Sequence, residues 1–194
     1  MSRWLVAIAF GSVLCTLLDQ LHVRFGVLAY RDGSMFGQAP WVPALFAAAT
    51  LVGLLGYVTW ARKLGYRRDL TDGPRDRWGT REAAVALAWM VLAYGLSGPL
   101  QHWPRALLVA YVAAFALRCW SLGAPGLGAS GLQFALGGTM FESLLASSGA
   151  FHYRHPDLWG VPLWLPGVYL HATPLLRAVL RRWLIPVAPR SALP

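Results

Sequence analysis

Long apolar runs along the chain alternate with short breaks rich in charged residues, proline or glycine. A helix needs roughly 20 mostly apolar residues to cross a hydrocarbon core of about 30 Å. Six runs approach that length. They cover residues 4–22, 41–61, 82–98, 104–120, 128–151 and 161–180. The pattern predicts an all-α, polytopic membrane protein with six transmembrane helices, forming a single domain over residues 1–194.

The composition supports a membrane protein. Hydrophobic residues make up 57% of the 194 residues and charged residues only 13%, whereas soluble domains average roughly 45–50% apolar and about 25% charged residues. A water-soluble globule and a disordered chain are both excluded. The two cysteines, Cys15 and Cys119, are too few for a disulfide framework or a cysteine-based metal site. We expect no metal and no cofactor other than a bound lipid.

The net charge of +9 is unevenly distributed over the loops. Thirteen of the seventeen basic residues fall on the side that holds both chain ends, mostly between Arg62 and Arg81, and four fall on the other side. Loops rich in Lys and Arg stay in the cytoplasm, so the sequence predicts that the N- and C-termini are both cytoplasmic. This distribution accounts for the charge without a nucleic-acid partner.

Among the ionisable residues inside the predicted spans, Asp19, His22 and Glu142 are the first candidates for a site. Such groups are costly in lipid and usually face the bundle interior. At 1.5 Å per residue, Asp19 and Glu142 both lie roughly 21–22 Å from the cytoplasmic ends of their helices, so they share a layer. Small residues, Gly131 and Gly138 among them, occupy the helical face of Glu142, which therefore points toward protein. An interhelical hydrogen bond and a ligand contact both remain open for Glu142.

We expect an amphipathic lipid to lie between the helices with its polar head at this layer. The predicted lipid-binding residues are Asp19, Gln20, His22, Trp41, Tyr94, Gln133, Phe141 and Glu142. Three alternatives stay open: a polar pair near the helix end for Asp19 and His22, core packing for Tyr94 and Phe141, and an aromatic belt for Trp41.

The sequence contains no catalytic motif, such as a nucleophile elbow, a zinc-protease helix or a phosphate-binding loop. No catalytic residue is predicted. An intramembrane isomerase or cyclase acting on a lipid or isoprenoid, with Glu142 as acid and Asp19 or His22 as base, is the alternative function. A proton-coupled transporter is less favoured because we identify no internal repeat. The small pair Ala49 and Gly53 fits either homo-oligomer contacts or packing within one chain.

Several stretches, in order, resemble the Insig family of sterol-regulatory membrane proteins of the endoplasmic reticulum. They are Trp41-Val-Pro43, Leu51-Val-Gly-Leu-Leu55, Gly126-Leu-Gly-Ala129, Phe141-Glu-Ser-Leu-Leu-Ala-Ser-Ser-Gly149, Tyr153-Arg-His-Pro-Asp157 and Trp164-Leu-Pro166. No single stretch is specific, and the resemblance rests on their order across the six predicted spans.

The resemblance implies a non-enzymatic, sensor-like protein that binds a sterol-like or diacylglycerol-like lipid and thereby controls another membrane protein. Two positions depart from the family pattern. Gln101 stands in a loop where the family has an acidic residue used in partner binding, and Glu142 stands where the family has glutamine. Because Lys63 is the only lysine beside 16 arginines, the composition indicates a bacterial protein of the inner membrane.

Overall fold

The computed structural model describes residues 2–66, 70 and 77–185. Within these residues the chain forms six helices, as predicted, and two short strands. The elements in chain order are α1 (Arg3–Arg24), β1 (Leu28–Tyr30), α2 (Val42–Lys63), α3 (Arg77–Ser97), α4 (Pro104–Leu122), α5 (Pro125–Ser147), β2 (Phe151–Tyr153) and α6 (Leu165–Val179), which ends in a π-helical turn (Leu180–Leu184).

Three of the six helices are long and apolar enough to cross a membrane by length and composition, among the residues described. They are α1, α2 and α4. Charged residues Arg81 and Glu82 near the start of α3 lower its hydropathy, and α6 has only 15 residues, which correspond to about 22 Å of α-helix.

The predicted span 128–151 ends too late. Helix α5 ends at Ser147, and Gly149 then adopts a left-handed backbone conformation with φ +77°. Glycine enters this region without the steric cost that a Cβ atom imposes, so the chain turns and continues into β2. The predicted span 161–180 begins too early, because residues 154–164 form a loop and the helix begins only at Leu165.

Helix α6 lies at the centre of the bundle and packs against α3, α4 and α5. Two glycines allow these close approaches. A Cβ atom on Gly167 would meet the Tyr111 ring of α4 at 2.7 Å, and one on Gly138 of α5 would meet the Tyr169 ring at 2.4 Å. The predicted small-residue face around Glu142 therefore packs directly against α6.

The two strands pair antiparallel and join the linker after α1 to the linker after α5. Their register places Leu28 opposite Tyr153, Ala29 opposite His152 and Tyr30 opposite Phe151. The sheet was not predicted from the sequence, because strands of only three residues are too short to show an alternation of apolar and polar residues.

The expectation of no internal repeat is wrong. Residues 26–43 and 149–166 share Gly26/Gly149, Tyr30/Tyr153, Arg31/Arg154, Gly37/Gly160, Trp41/Trp164 and Pro43/Pro166, all at a constant offset of 123 residues without gaps. The backbone repeats as well. Phe36 and Trp159, at equivalent positions, are the two non-glycine residues with positive φ among those described, 56° and 51°.

The repeat comprises α1–β1–α2 and α5–β2–α6. Its two copies meet at the sheet, and the strand pairing is centred on Ala29 and His152, which are themselves equivalent positions. The hydrogen bonds that flank the sheet are also equivalent: Arg31 N to Ala150 O, 3.1 Å, and Arg154 N to Val27 O, 2.9 Å. The two helix pairs are therefore related by an approximate two-fold axis that passes through the sheet.

Candidate lipid-binding cavity

A cavity of about 550 Å³ lies between α1, α2, α3, α5 and α6. Its volume falls within the range of about 300–1,000 Å³ that is typical of small-molecule sites. Alanine, glycine, leucine, valine and phenylalanine residues form most of its wall. Such a wall can hold hydrocarbon but offers few partners for a polar ligand.

The cavity lies on the approximate two-fold axis. Ten pairs of equivalent residues line it, one member from each copy of the repeat. The pairs are 10/133, 11/134, 14/137, 15/138, 45/168, 46/169, 49/172, 52/175, 53/176 and 56/179. Helix α3 adds Met90 and Tyr94. The small pair Ala49 and Gly53 faces this cavity, and Gly53 packs against Leu176 of the same chain.

The cavity reaches the apolar outer surface of the bundle. Three of its lining residues are largely exposed, Phe10 at 50%, Val52 at 67% and Phe141 at 45%. They come from α1, α2 and α5, so the cavity is not enclosed but is open to the outer surface of the bundle. Hydroxyl and amide groups of Thr50, Tyr94, Gln133 and Tyr169 are the polar side chains on the wall.

Glu142 does not line the cavity but lies behind it. Its two carboxylate oxygens accept hydrogen bonds from the hydroxyl groups of Tyr153 in β2 and Tyr169 in α6. Tyr169 itself lines the cavity. Of the two roles that the sequence left open for Glu142, the structure shows the interhelical hydrogen bond. The carboxylate fixes the position of a cavity-lining phenol.

Asp19 occupies the equivalent position in the first copy of the repeat, 123 residues before Glu142. Its Oδ2 accepts hydrogen bonds from the Tyr30 hydroxyl at 2.8 Å and from Gln38 Nε2 at 2.6 Å. Tyr30 and Tyr153 are equivalent, whereas Gln38 replaces Tyr169 as the second donor. Each copy of the repeat thus binds one membrane carboxylate with two neutral donors.

The sheet brings the two carboxylate networks together. Tyr30 and Tyr153 lie on the same face of β1 and β2 as diagonal neighbours, a relation that separates Cα atoms by about 7–8 Å. Burial, and then the neighbouring Asp19 carboxylate, raises the pKa of Tyr30 above the ordinary tyrosine value. Burial and the Glu142 carboxylate do the same for the pKa of Tyr153. Both phenols therefore keep their protons and act as donors.

The other predicted residues lie around the networks. His22 Nε2 is hydrogen-bonded to Ser97 Oγ at 2.7 Å, and its ring stacks on Tyr94 with 4.8 Å between centroids. Gln20 Nε2 donates to the Phe36 carbonyl oxygen at 3.0 Å. Trp41 makes an edge contact with Tyr30. None of these three lines the cavity.

The structure therefore separates the predicted site into two groups. Tyr94, Gln133 and Phe141 line the cavity, whereas Asp19, Gln20, His22, Trp41 and Glu142 do not. The donors Tyr30, Gln38, Tyr153 and Tyr169 were not predicted from the sequence. Aligning the chain with itself at an offset of 123 residues would have found the two equivalent tyrosines, Tyr30 and Tyr153. Among the described residues, no group of three or more His, Cys, Asp or Glu side chains could hold a metal ion.

The chain matches no protein-family profile and no curated protein. Among solved structures it matches MvINS, a mycobacterial Insig homologue from Mycobacterium vanbaalenii, with a TM-score of 0.75 and 24% identity over 100% of this chain and 98% of that one. This chain has the fold of a bacterial Insig homologue. A cross-linked trimer of a cysteine variant of MvINS gives a TM-score of 0.73 and 24% identity, covering 93% of this chain and 92% of that one. The predicted resemblance to Insig is therefore confirmed at the level of the fold.

Proposed function

We propose that the chain is a bacterial Insig-family protein whose six helices all cross the inner membrane, with both termini in the cytoplasm. The Insig fold over the full chain and the excess of basic residues on the side of the termini support this topology. The short helix α6 fits a spanning role because a π-helical turn extends it and because its neighbours shield it from lipid on most sides.

The function that the geometry supports best is binding of an amphipathic lipid in the central cavity. The observation that carries this proposal is a largely apolar cavity on the two-fold axis that is open to the outer surface of the bundle and has exposed lining residues at Phe10, Val52 and Phe141. The two copies of the repeat form equivalent walls. Such walls fit a ligand with two similar chains better than a ligand with a single rigid ring system. We therefore favour a diacylglycerol-like lipid over a sterol-like one.

The polar head of such a lipid has few partners on the wall. Tyr169, held by Glu142, and Tyr94, stacked on His22, are the two phenols on the wall. Because the Tyr169 hydroxyl donates its hydrogen to Glu142, its oxygen can only accept, for example from a hydroxyl group of an uncharged head, whereas the Tyr94 hydroxyl can donate to an ester oxygen. Glu142 acts in this proposal through Tyr169, which it positions on the cavity wall, whereas the partners of Asp19, Tyr30 and Gln38, do not line the cavity.

Lipid occupancy is the signal in this proposal, as the resemblance to the Insig family implies. A lipid that fills the cavity contacts both copies of the repeat and α3, so it stabilises one arrangement of these helices. That arrangement would control contacts with another membrane protein or with further copies of the chain. The cross-linked trimer of MvINS supports homo-oligomer formation.

The alternative of an intramembrane enzyme has less support. Its acid and bases, Glu142, Asp19 and His22, are all hydrogen-bonded within the chain, and none of them lines the cavity. A general acid or base must reach the substrate directly or through one water. The fold of an Insig homologue also favours a non-enzymatic role.

A lipid titration of the delipidated, purified chain in detergent micelles tests the binding proposal. We expect saturable binding of a labelled diacylglycerol. In Gly56→Leu, the new side chain has room beside Phe134 and occupies the cavity. Excluding two methylene groups at about 0.8 kcal/mol each weakens binding by at least about ten-fold.

Gly95→Leu is the matched control, since a Cβ atom at this helical glycine also has room but lies outside the cavity. This variant should bind diacylglycerol with the same affinity as the unmodified chain. If neither diacylglycerol nor cholesterol binds saturably, the lipid proposal is refuted. Preferential binding of cholesterol would refute only the preference for two chains.

A further inference from the structure

Two exposed histidines meet at the end of the bundle that carries the sheet. His102 lies in the turn between α3 and α4, and His155 lies in the linker two residues after β2. Their ring centroids are 4.6 Å apart, and the ring planes are inclined by 60°. This contact was not expected from the sequence, because the two residues belong to different loops and are 53 positions apart.

The backbones that carry the two histidines are anchored to the same short segment after α1. Gln101 Nε2 donates to the Phe25 carbonyl oxygen at 3.3 Å, and Arg154 N donates to the Val27 carbonyl oxygen at 2.9 Å. Each of these two donors belongs to the residue directly before a histidine. The hydrogen bonds therefore hold the two imidazoles near each other before any ligand arrives, which reduces the entropic cost of binding one.

The nitrogen atoms of both rings are free to bind a ligand. Among the described residues, no hydrogen bond or ion pair involves the side chain of His102 or His155. A neutral imidazole has one nitrogen lone pair, and histidine is the commonest metal ligand among the side chains. Two such rings in contact can bind one metal ion from two sides.

The spacing of the rings indicates which metal ion the pair suits. A ring nitrogen lies about 2.0–2.1 Å from a metal ion that it binds, so two ring centres on one ion are about 4.5 Å apart at a right angle and about 5.2 Å apart at the tetrahedral angle. The observed 4.6 Å fits the right angle. Neighbouring ligands of Cu(II) in its square-planar or tetragonal geometry form this angle, and Cu(II) binds nitrogen ligands more tightly than the other divalent first-row metals do.

We propose that His102 and His155 bind one Cu(II) ion at the surface of the bundle. Two side chains are fewer than a closed protein site provides, and water completes the coordination because both residues are exposed. The ion would connect the turn between α3 and α4 to the linker after β2. Neither histidine lines the central cavity, so this site is separate from the proposed lipid-binding cavity.

A copper titration of the full chain in detergent tests this proposal, with any histidine tag and all chelators removed. We expect saturable binding of one Cu(II) ion per chain. The electron paramagnetic resonance spectrum of the bound copper should show hyperfine splitting from two imidazole nitrogens. Mg²⁺ prefers oxygen ligands and should not bind at this site.

His102→Gln and His155→Gln should each weaken copper binding at least about ten-fold, because even the loss of an outer-shell partner of a metal ligand costs about ten- to a hundred-fold in affinity. Both residues are exposed, so glutamine is compatible with the fold at either position. His152→Gln is the matched control, since His152 is also exposed and lies only three residues before His155. It should bind copper as the unmodified chain does.

Equal copper affinities of His102→Gln, His155→Gln and His152→Gln would overturn the proposal. So would a copper spectrum of the unmodified chain with splitting from a single imidazole nitrogen. Absence of saturable copper binding would show that the two rings form only an aromatic contact between their loops.

Discussion

Tyr30 and Tyr153 each donate a hydroxyl hydrogen to a carboxylate between the helices, buried at Asp19 and half-buried at Glu142. A carboxylate in this setting needs strong donors, because an unpaired buried charge is costly. The sequence correctly predicted that Glu142 faces protein, since the helical period and the small residues around it define its face. It could not predict Tyr153 as the partner, because that contact depends on a turn at Gly149 and on β2.

Removing one of these donors should destabilise the chain. In Tyr153→Phe, Glu142 keeps only the Tyr169 hydroxyl, and leaving a buried acceptor with a missing partner costs about 1–3 kcal/mol in the free energy of unfolding. Chemical denaturation in detergent measures this change. Tyr66→Phe makes the same substitution at a half-buried tyrosine outside the networks, and equal stabilities of the two variants would contradict the assigned role of Tyr153.

Helix contacts in the bundle depend on where glycine stands rather than on how many glycines a helix has. In α5, a Cβ atom on Gly131 would lie 2.3 Å from the Phe115 ring, whereas one on Gly128 would meet nothing within 4 Å. The two positions lie less than one turn apart. Their sequence contexts are alike, so only the packed structure distinguishes them.

Gly131→Ala should therefore destabilise the chain and Gly128→Ala should not. Forcing a methyl group against a packed aromatic ring costs about 1–3 kcal/mol, while replacing glycine in an open helical position gains up to about 1 kcal/mol. Thermal denaturation of both variants in the same detergent provides the comparison. A Gly131→Ala variant as stable as Gly128→Ala would show that α4 and α5 do not pack as described.

The six helices were predictable because apolar runs near twenty residues are a strong signal. Their ends were not, since the run 128–151 includes a turn and a strand that are as apolar as the helix itself. The sheet was missed because its strands have only three residues each. The repeat was missed because its matches lie mainly in the linkers, at glycine, tyrosine, tryptophan and proline positions that a comparison of apolar runs does not examine.

At the scale of the whole molecule, two copies of a helix pair enclose one cavity, and α3 and α4 pack on one side of them. The duplication explains why Asp19 and Glu142 share a layer, as their depths predicted. Asp19 bonds Tyr30 and Gln38, and Glu142 bonds Tyr153 and Tyr169, so each carboxylate ties together the elements of its own copy.

The central claim, that the cavity holds a lipid, is tested most directly by mass spectrometry of lipid extracted from the purified chain. We expect about one lipid per chain, with two acyl chains, in the unmodified protein and in Gly95→Leu, and a strongly reduced amount in Gly56→Leu, whose new side chain occupies the cavity. Extracts without lipid above the detergent blank, or equal amounts of lipid from Gly56→Leu and Gly95→Leu, would contradict the account.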